Sequence, residues 1–297
     1  MKFFLSILLF VGFVWSQPIY DTHRACVIGQ NTTYYGGAIW LYNDITSGWT
    51  QVQGLAKKAS FDFDGGLYVL NNIGQVYERL YGGGWGNYGT VPGLPVDICA
   101  HSASVLGVIA ASTNGIYQKN GTSWSLLQSL PSIVAISSKG YAVYALMING
   151  TVRKYDEGQM TEFPAVCSPG NAYDISVSGL GDVYVAARNT SNQDYLYKYV
   201  SGSWVQTSNT SRGIDISMIT AQGLSKSVVG GAIGAWWFLS LDNTNAYNSF
   251  CPCISYDSDV AVGLEYGIAA RSVKKAITDF RKIKEVYTDS LKLFFKK

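Results

Sequence analysis

Charge is scarce in this chain. Asp, Glu, Lys and Arg make up 14% of its 297 residues, against about a quarter in an average soluble domain. That shortage argues against a helical bundle, which needs Glu, Lys and Arg over its exposed faces. Histidine is nearly absent, at 2 residues, so neither a multi-histidine metal centre nor a histidine-rich active site is expected. There are only 7 prolines, while 47% of residues are hydrophobic, with 21 Tyr and 8 Trp; this is too apolar and aromatic for a disordered chain. No phosphate loop, no spaced zinc ligands and no basic face on the body for nucleic acid are found. The length suits one large domain or two small ones. What is abundant is Gly (32 residues), with Ser, Thr, Tyr and Val, the composition of an all-β protein with many turns.

The net charge of +2 hides an asymmetry. Residues 17–270 carry a net −5 and residues 271–297 a net +6. A basic tail follows an acidic body. At the other end, Met1 and Lys2 precede an apolar run from Phe3 to Trp15, then Ser16, Gln17 and Pro18. These are the parts of a secretory signal peptide, expected to cover 1–16, with Val14 and Ser16 at the small-residue positions. The run falls short of the roughly 20 residues of a membrane span. Five acceptor patterns for N-glycosylation agree with export: Asn31, Asn120, Asn149, Asn189 and Asn209, each followed two residues later by Ser or Thr. In the tail, Val273, Ile277, Phe280, Ile283, Tyr287, Leu291 and Phe294 form a stripe at helical spacing, with most of the lysines off it. A basic amphipathic helix over 265–297 is expected. Its partners would be the domain itself, a second copy, or an anionic membrane surface.

Between these ends the chain repeats. Trp49, Trp85, Trp124 and Trp204 stand 36, 39 and 80 residues apart, and Met160 takes the missing place. Each unit runs through four short strands. The second unit reads Val96-Asp-Ile-Cys, Val105-Leu-Gly-Val-Ile-Ala, Asn114-Gly, Ile116-Tyr-Gln-Lys and then the next Trp. Alternating apolar and polar positions favour strands. Asn-Gly between two of them signals a hairpin whose two turn residues both need positive φ. Units of about 40 residues with four strands are the signature of a β-propeller blade. Five copies are recognisable. Ala25-Cys-Val-Ile-Gly and Gly37-Ala-Ile-Trp-Leu-Tyr lack a first strand, and Asp257-Ser-Asp-Val-Ala-Val-Gly lacks followers. Joined, they give a sixth blade shared by both termini, which removes the free edge. That closure brings Cys26 near Cys251 or Cys253, so a disulfide between Cys26 and one of them is expected. Cys99 and Cys167 complete an odd count.

The plan Trp…Pro-Gly-Leu…Ile-Ser-Val…Gly-x-Val-Tyr…Asn-Gly-x-Ile-Tyr resembles the tectonin repeat over residues 25–263. That resemblance implies a six-bladed propeller lectin, like the fish-egg lectins and the invertebrate lectins that bind bacterial lipopolysaccharide. The family's Trp in the second strand is replaced here by Tyr68, by Leu106 with Gly107, by Tyr144 and by Tyr184. The expected protein is a signal peptide (1–16), a propeller (17–264) and a helical tail (265–297). It would bind glycans or lipopolysaccharide without catalysis and without a cofactor or metal; the alternative is a structural or protein-interaction propeller that docks to a partner or membrane through its C-terminal helix.

Aromatic faces suit the C–H patches of a sugar, and amides, carboxylates and guanidinium groups suit its hydroxyls. The candidate binding residues are Tyr68, Asn71, Tyr77, Arg79, Asn114, Tyr117, Tyr144, Arg153, Tyr184, Arg188 and Tyr197. The same residues also suit blade packing and turn geometry. The recurrent tryptophans read as core. Cys99 and His101 could be drawn as nucleophile and base, or as a buried thiol beside an axial polar residue. Asp97, Asp174 and Asp215 recur near the start of the innermost strands. They suit either a polar ligand in a central channel or hydrogen bonds that repeat with the blades.

Overall fold

The computed structural model describes residues 23–29, 34–43, 48–62, 66–80, 83–100, 106–177, 181–191, 193–207, 215–221, 224–230, 235–240, 246–250 and 259–262. After residue 207 the description is of backbone alone. The signal peptide, the helical tail, Asn31, His101, Asn209, Cys251 and Cys253 lie outside the described residues.

Among the described residues every regular element is a strand. The first sheet contains β1 (His23–Ile28), β2 (Gly37–Asn43) and β3 (Gly48–Ala56). The second is β4 (Lys58–Phe61), β5 (Leu67–Leu70), β6 (Gln75–Arg79) and β7 (Trp85–Thr90). The third is β8 (Pro95–Cys99), β9 (Ile109–Ser112), β10 (Gly115–Asn120) and β11 (Ser123–Gln128). The fourth is β12 (Ile133–Lys139), β13 (Ala142–Met147), β14 (Val152–Asp156) and β15 (Gln159–Phe163). The fifth is β16 (Ala172–Val177), β17 (Val183–Arg188), β18 (Asp194–Val200) and β19 (Ser203–Gln206). The sixth is β20 (Asp215–Ala221), β21 (Leu224–Gly230), β22 (Ala235–Ser240) and β23 (Ala246–Phe250). A last strand, β24 (Asp259–Val262), joins the first sheet beside β1, with Cys26 opposite Ala261 and Val27 opposite Val260. All six sheets are four-stranded with antiparallel neighbours. Their first strands neighbour one another in the order β24, β4, β8, β12, β16, β20, and β20 meets β24 again.

Burial falls from the inner strands outward. β5, β9 and β13 are buried along their whole length, because both faces of the sheet are covered there. The outer strands β15 and β19 are mostly exposed. Each apolar cluster lies between two neighbouring sheets. Ile28, Ile39 and Leu41 of the first sheet meet Phe61 and Val69 of the second. Leu70 and Val76 meet Ile98 and Ala110, Ile109 and Ile116 meet Ile136 and Val143, and Leu146 and Val152 meet Ile175 and Val185. A single sheet could cover only one of its faces, so the sheets are stable only as neighbours. Each fully buried Leu, Ile or Val contributes about 1.5–3 kcal/mol.

Polar groups join the first strands of neighbouring sheets at a repeat distance. Ser60 Oγ accepts from Ala100 N at 2.9 Å, and Ser137 Oγ accepts from Val177 N at 3.0 Å. Cys99 occupies the matching place in β8, with Sγ 3.2 Å from Ser138 Oγ. Asp97 Oδ1 accepts from Ile98 N at 2.8 Å, and its Oδ2 accepts from Ile136 N of the next sheet at 2.7 Å. Asp174 Oδ1 accepts from Ile175 N at 2.8 Å. Asp97 and Asp174 are both buried. Of the two readings of these aspartates, the hydrogen-bonding one describes Asp97 and Asp174; the side chain of Asp215 lies outside the described residues.

Two expectations are corrected by the backbone. In the third sheet the second strand starts at Ile109, and Gly107, with φ 68, precedes it. Ile109 faces Gln118 as Tyr68 faces Glu78 and Tyr144 faces Lys154. Ile109, and not Leu106 with Gly107, therefore stands at the place of the tyrosines. The Asn-Gly turns also differ from the expected pair of positive φ angles. Gly150 takes φ 83, but the non-glycines with positive φ among the described residues are Ser132, Glu157 and Ser201. Asn149 closes its turn by accepting from Thr151 N at 3.1 Å instead.

Candidate functional site

The second-strand tyrosines are packing residues. Tyr68, Tyr144 and Tyr184 are all buried, as is Tyr117 on the third strand β10. Tyr68 lies edge-on to Tyr88 at 5.2 Å, and its hydroxyl donates to Glu78 Oε1 at 3.2 Å. Burial, helped by nearby Asp62 and Glu78, holds the Tyr68 phenol neutral far above its usual range. The Lys154 ammonium sits 5.9 Å from the Tyr144 ring and pairs with Asp156 at 2.6 Å. Lys198 repeats the arrangement 5.5 Å from Tyr184, paired with Asp182 at 3.0 Å. Neighbouring side chains cover these rings, so the stacking surface expected from them is not offered to a ligand.

Asn71 is committed to its own turn. It is buried, its Oδ1 accepts from Ile73 N and Gln75 N, and its Nδ2 donates to Gln75 Oε1. The Tyr77 hydroxyl donates to the same Gln75 Oε1 at 3.1 Å. Asn189, Gln193 and Tyr195 reproduce this network between β17 and β18. Arg153 is engaged by Glu162 at 2.7 Å, and Arg188 lies over Tyr173 at 5.4 Å. Tyr197 packs half-buried between the fourth and fifth sheets. Asn114 is exposed at its turn, where its backbone N–H donates to Ser112 Oγ.

A better candidate lies where the sequence reading placed core. Trp49, Trp85, Trp124 and Trp204 stand on the outermost strands β3, β7, β11 and β19, and all four are half-buried. Directly across from them on the third strands are Tyr42, Arg79, Lys119 and Tyr199. Ring centroids are 5.2 Å apart for Tyr42–Trp49 and 5.1 Å for Tyr199–Trp204. The Arg79 guanidinium lies 5.1 Å from the Trp85 ring and the Lys119 ammonium 5.5 Å from that of Trp124. The indoles of Trp85, Trp124 and Trp204 reach the blade before their own. Trp85 Nε1 donates to Gln53 O at 2.6 Å, and Trp204 Nε1 to Pro164 O at 2.7 Å. Gly54 and Gly89, with φ 125 and 94, make room, since a Cβ at either would come within 3.3 Å of Trp85 Nε1 or Trp124 Nε1. Trp124 Nε1 is buried without an acceptor. Lys119 also reaches over Tyr88, at 5.3 Å, and desolvation lowers its pKa. The fourth sheet breaks the series with Tyr155 opposite Met160. A half-buried indole beside a Tyr or a cation thus recurs along the flank, and those of Trp85, Trp124 and Trp204 also pack on the apolar clusters. The recurring pair was present in the sequence spacing, but its position on the rim was not.

Cys99 is buried against Ser138 at a blade junction, as the buried-thiol reading has it. Cys26 is fully buried in the cluster between the first and second sheets. Among the described residues no group of His, Cys, Asp and Glu is arranged to hold a metal ion. No described helix is long and apolar enough to cross a membrane.

No family model matches the chain, and no curated protein does. Solved structures do. TolB from Acinetobacter baumannii superposes with a TM-score of 0.61 at 13% identity, over 82% of this chain and 67% of that one. A protein of unknown function from Bacteroides caccae gives 0.53 at 11% identity, over 80% and 98%. The WD40 β-propeller domain of Doa1 gives 0.51 at 11%, over 79% and 81%. At these identities the likeness concerns the fold alone. The chain is an all-β β-propeller built from four-stranded antiparallel blades.

Proposed function

We propose that this chain is a secreted, non-catalytic recognition propeller of the tectonin type that binds glycans at weak sites repeated along its flank. The observation that carries this reading is the pair recurring at one register: Tyr42/Trp49, Arg79/Trp85, Lys119/Trp124 and Tyr199/Trp204. An indole edge offers an apolar surface to sugar C–H groups, and the neighbouring phenol or cation offers a polar contact to a hydroxyl or phosphate. Sites of this kind are weak singly and gain avidity on a surface that repeats its sugars. In this reading the propeller has six blades and β24 closes the ring; the order of the first strands supports it.

The test is a glycan array that includes bacterial polysaccharides, probed with the secreted protein and with a copy ending at Ala270. Trp85→Leu and Trp124→Leu variants are run beside them. Selective binding that survives removal of the tail and weakens with each Trp substitution supports the proposal. Absence of binding by the folded protein overturns it. Binding lost only on removing the tail assigns recognition to the tail instead.

A further inference from the structure

Neighbouring strands of a blade alternate in direction, so the turns between second and third strands share one end of the propeller with the connections from fourth strands to the next blade. Apolar side chains stand exposed at that end: Leu94, 70% exposed, follows β7, and Ile148, 57% exposed, lies between β13 and β14. Ile148 stands exposed in the tight turn between β13 and β14. Its neighbour is Asn149, the first residue of an acceptor pattern completed by Thr151.

The side chains of this turn are arranged for modification. Asn149 is exposed. Its Oδ1 accepts from the Thr151 hydroxyl at 2.9 Å and from Thr151 N at 3.1 Å. Both bonds fall on the oxygen of an exposed side chain and not on its amide nitrogen. Asn189 differs. It is half-buried, its Oδ1 accepts from Ser191 N and Gln193 N, and its Nδ2 faces Gln193 Oε1 at 3.4 Å. It holds the place that buried Asn71 holds in the second blade, two residues before the place of Asn149.

We propose that Asn149 carries an N-linked glycan, that the glycan covers Ile148, and that this end of the propeller is therefore its shielded end. The reaction is transfer from a polyprenyl-diphosphate-linked oligosaccharide. Asn149 Nδ2 forms a bond to the anomeric carbon, the anomeric C–O bond to the diphosphate breaks, the lipid diphosphate leaves, and one amide proton is released. The turn is closed by Met147 N donating to Thr151 O at 2.9 Å and Gly150 N donating to Met147 O at 2.8 Å, and it is anchored by Ile148 N donating to Ser132 O and by Ile148 O and Gly150 O accepting from Gly170 N and Val166 N. These anchors are all backbone groups, so the asparagine side chain is left out of them. Attachment here does not depend on whether the flank binds glycans.

The full chain is produced in eukaryotic secretory cells and its peptides are mapped by mass after enzymatic deglycosylation. The expected result is an occupied Asn149 and an unmodified Asn189. Thr151→Ala keeps the asparagine and removes the acceptor pattern, so it should lose one step of glycan-dependent gel shift; Thr151→Ser should keep it. Asn149→Gln is the second variant, and melting curves of each confirm folding. Enzymatic removal of the glycan should raise binding of a hydrophobic dye, and Ile148→Ser should abolish that rise. An unmodified Asn149 in the secreted protein overturns the proposal, as does equal occupancy of Asn189 or a chain that carries no glycan at all.

Discussion

Removing the hydroxyl of Ser137 should destabilise the propeller measurably. Its Oγ accepts from Val177 N at 3.0 Å, and Ser137 and Val177 are both buried. Ser137→Ala leaves that N–H without a partner in a site closed to water. A buried donor stripped of its acceptor costs about 1–3 kcal/mol. Taking ~2 kcal/mol, and ~2–4 °C per kcal/mol for a unit of this size, the melting temperature should fall by roughly 4–8 °C. Ser60→Ala removes the matching contact to Ala100 N and should cost a similar amount. The two sites share no partner, so the double variant should lose close to the sum. Cys99→Ser restores the residue found at the equivalent places in β4 and β12 and should be near neutral. Ser203→Ala, on the exposed outer strand, is the control. The assay is thermal unfolding followed by near-ultraviolet circular dichroism. A shift in Ser137→Ala no larger than in Ser203→Ala would refute the assignment of these serines as junctions between blades.

Burial pushes the Cys167 thiol up to about 11, so alkylation of the folded protein at pH 8 should be slow and should rise about tenfold per pH unit until it levels near pH 11; mass spectrometry against the unfolded chain checks this. Trp85→Ala removes the packing on Gly54 and the bond to Gln53 O, and should cost about 2–4 kcal/mol in denaturant unfolding, below the upper range for a fully buried indole. Lys119→Gln takes the cation from over Trp124 and should cost about 0.5–1 kcal/mol, with the loss shrinking in Trp124→Leu in a double-mutant cycle. Arg153→Ala breaks an ion pair whose side chains are 33% and 50% exposed, and should change stability by less than about 1 kcal/mol.

Period-two alternation and turn residues made the blades legible. The strand plan expected between Trp49 and Trp204 is that of β3 through β19, and the unmatched segments at the two ends pair as β24 with β1. Alternation says which face of a sheet a residue takes, but not how far it stands from the axis. Trp85 was therefore legible as part of a repeat that packs on the core, as it does half-buried against the cluster between the first and second sheets, but its place on a rim strand was not legible. Tyr68 and Tyr144 were legible as aromatic, suited to a ligand or to blade packing; what covers them was not legible, because the covering rings are Tyr88 and Phe163, 20 and 19 residues further along the chain. The contacts of Ser60 and Ser137 were invisible, since each needs the neighbouring blade about 40 residues away. Asn71 and Asn149 look alike in sequence, yet one is buried in its turn and the other is exposed at a tip. A shift of two places in the turn makes that difference.

The pairing of β24 with β1 also sets a schedule. Cys26 and its partner Ala261 lie at opposite ends of the described chain. At synthesis rates of about 5–20 residues per second, the last strand follows the first by tens of seconds. Throughout that interval β1 has one edge with no strand beside it, and an open edge of this kind recruits other strands. The interval during manufacture, more than the finished molecule, is when this chain is most exposed to aggregation. Slowing the arrival of residues 259–262 should lower the yield of folded protein without altering its melting temperature.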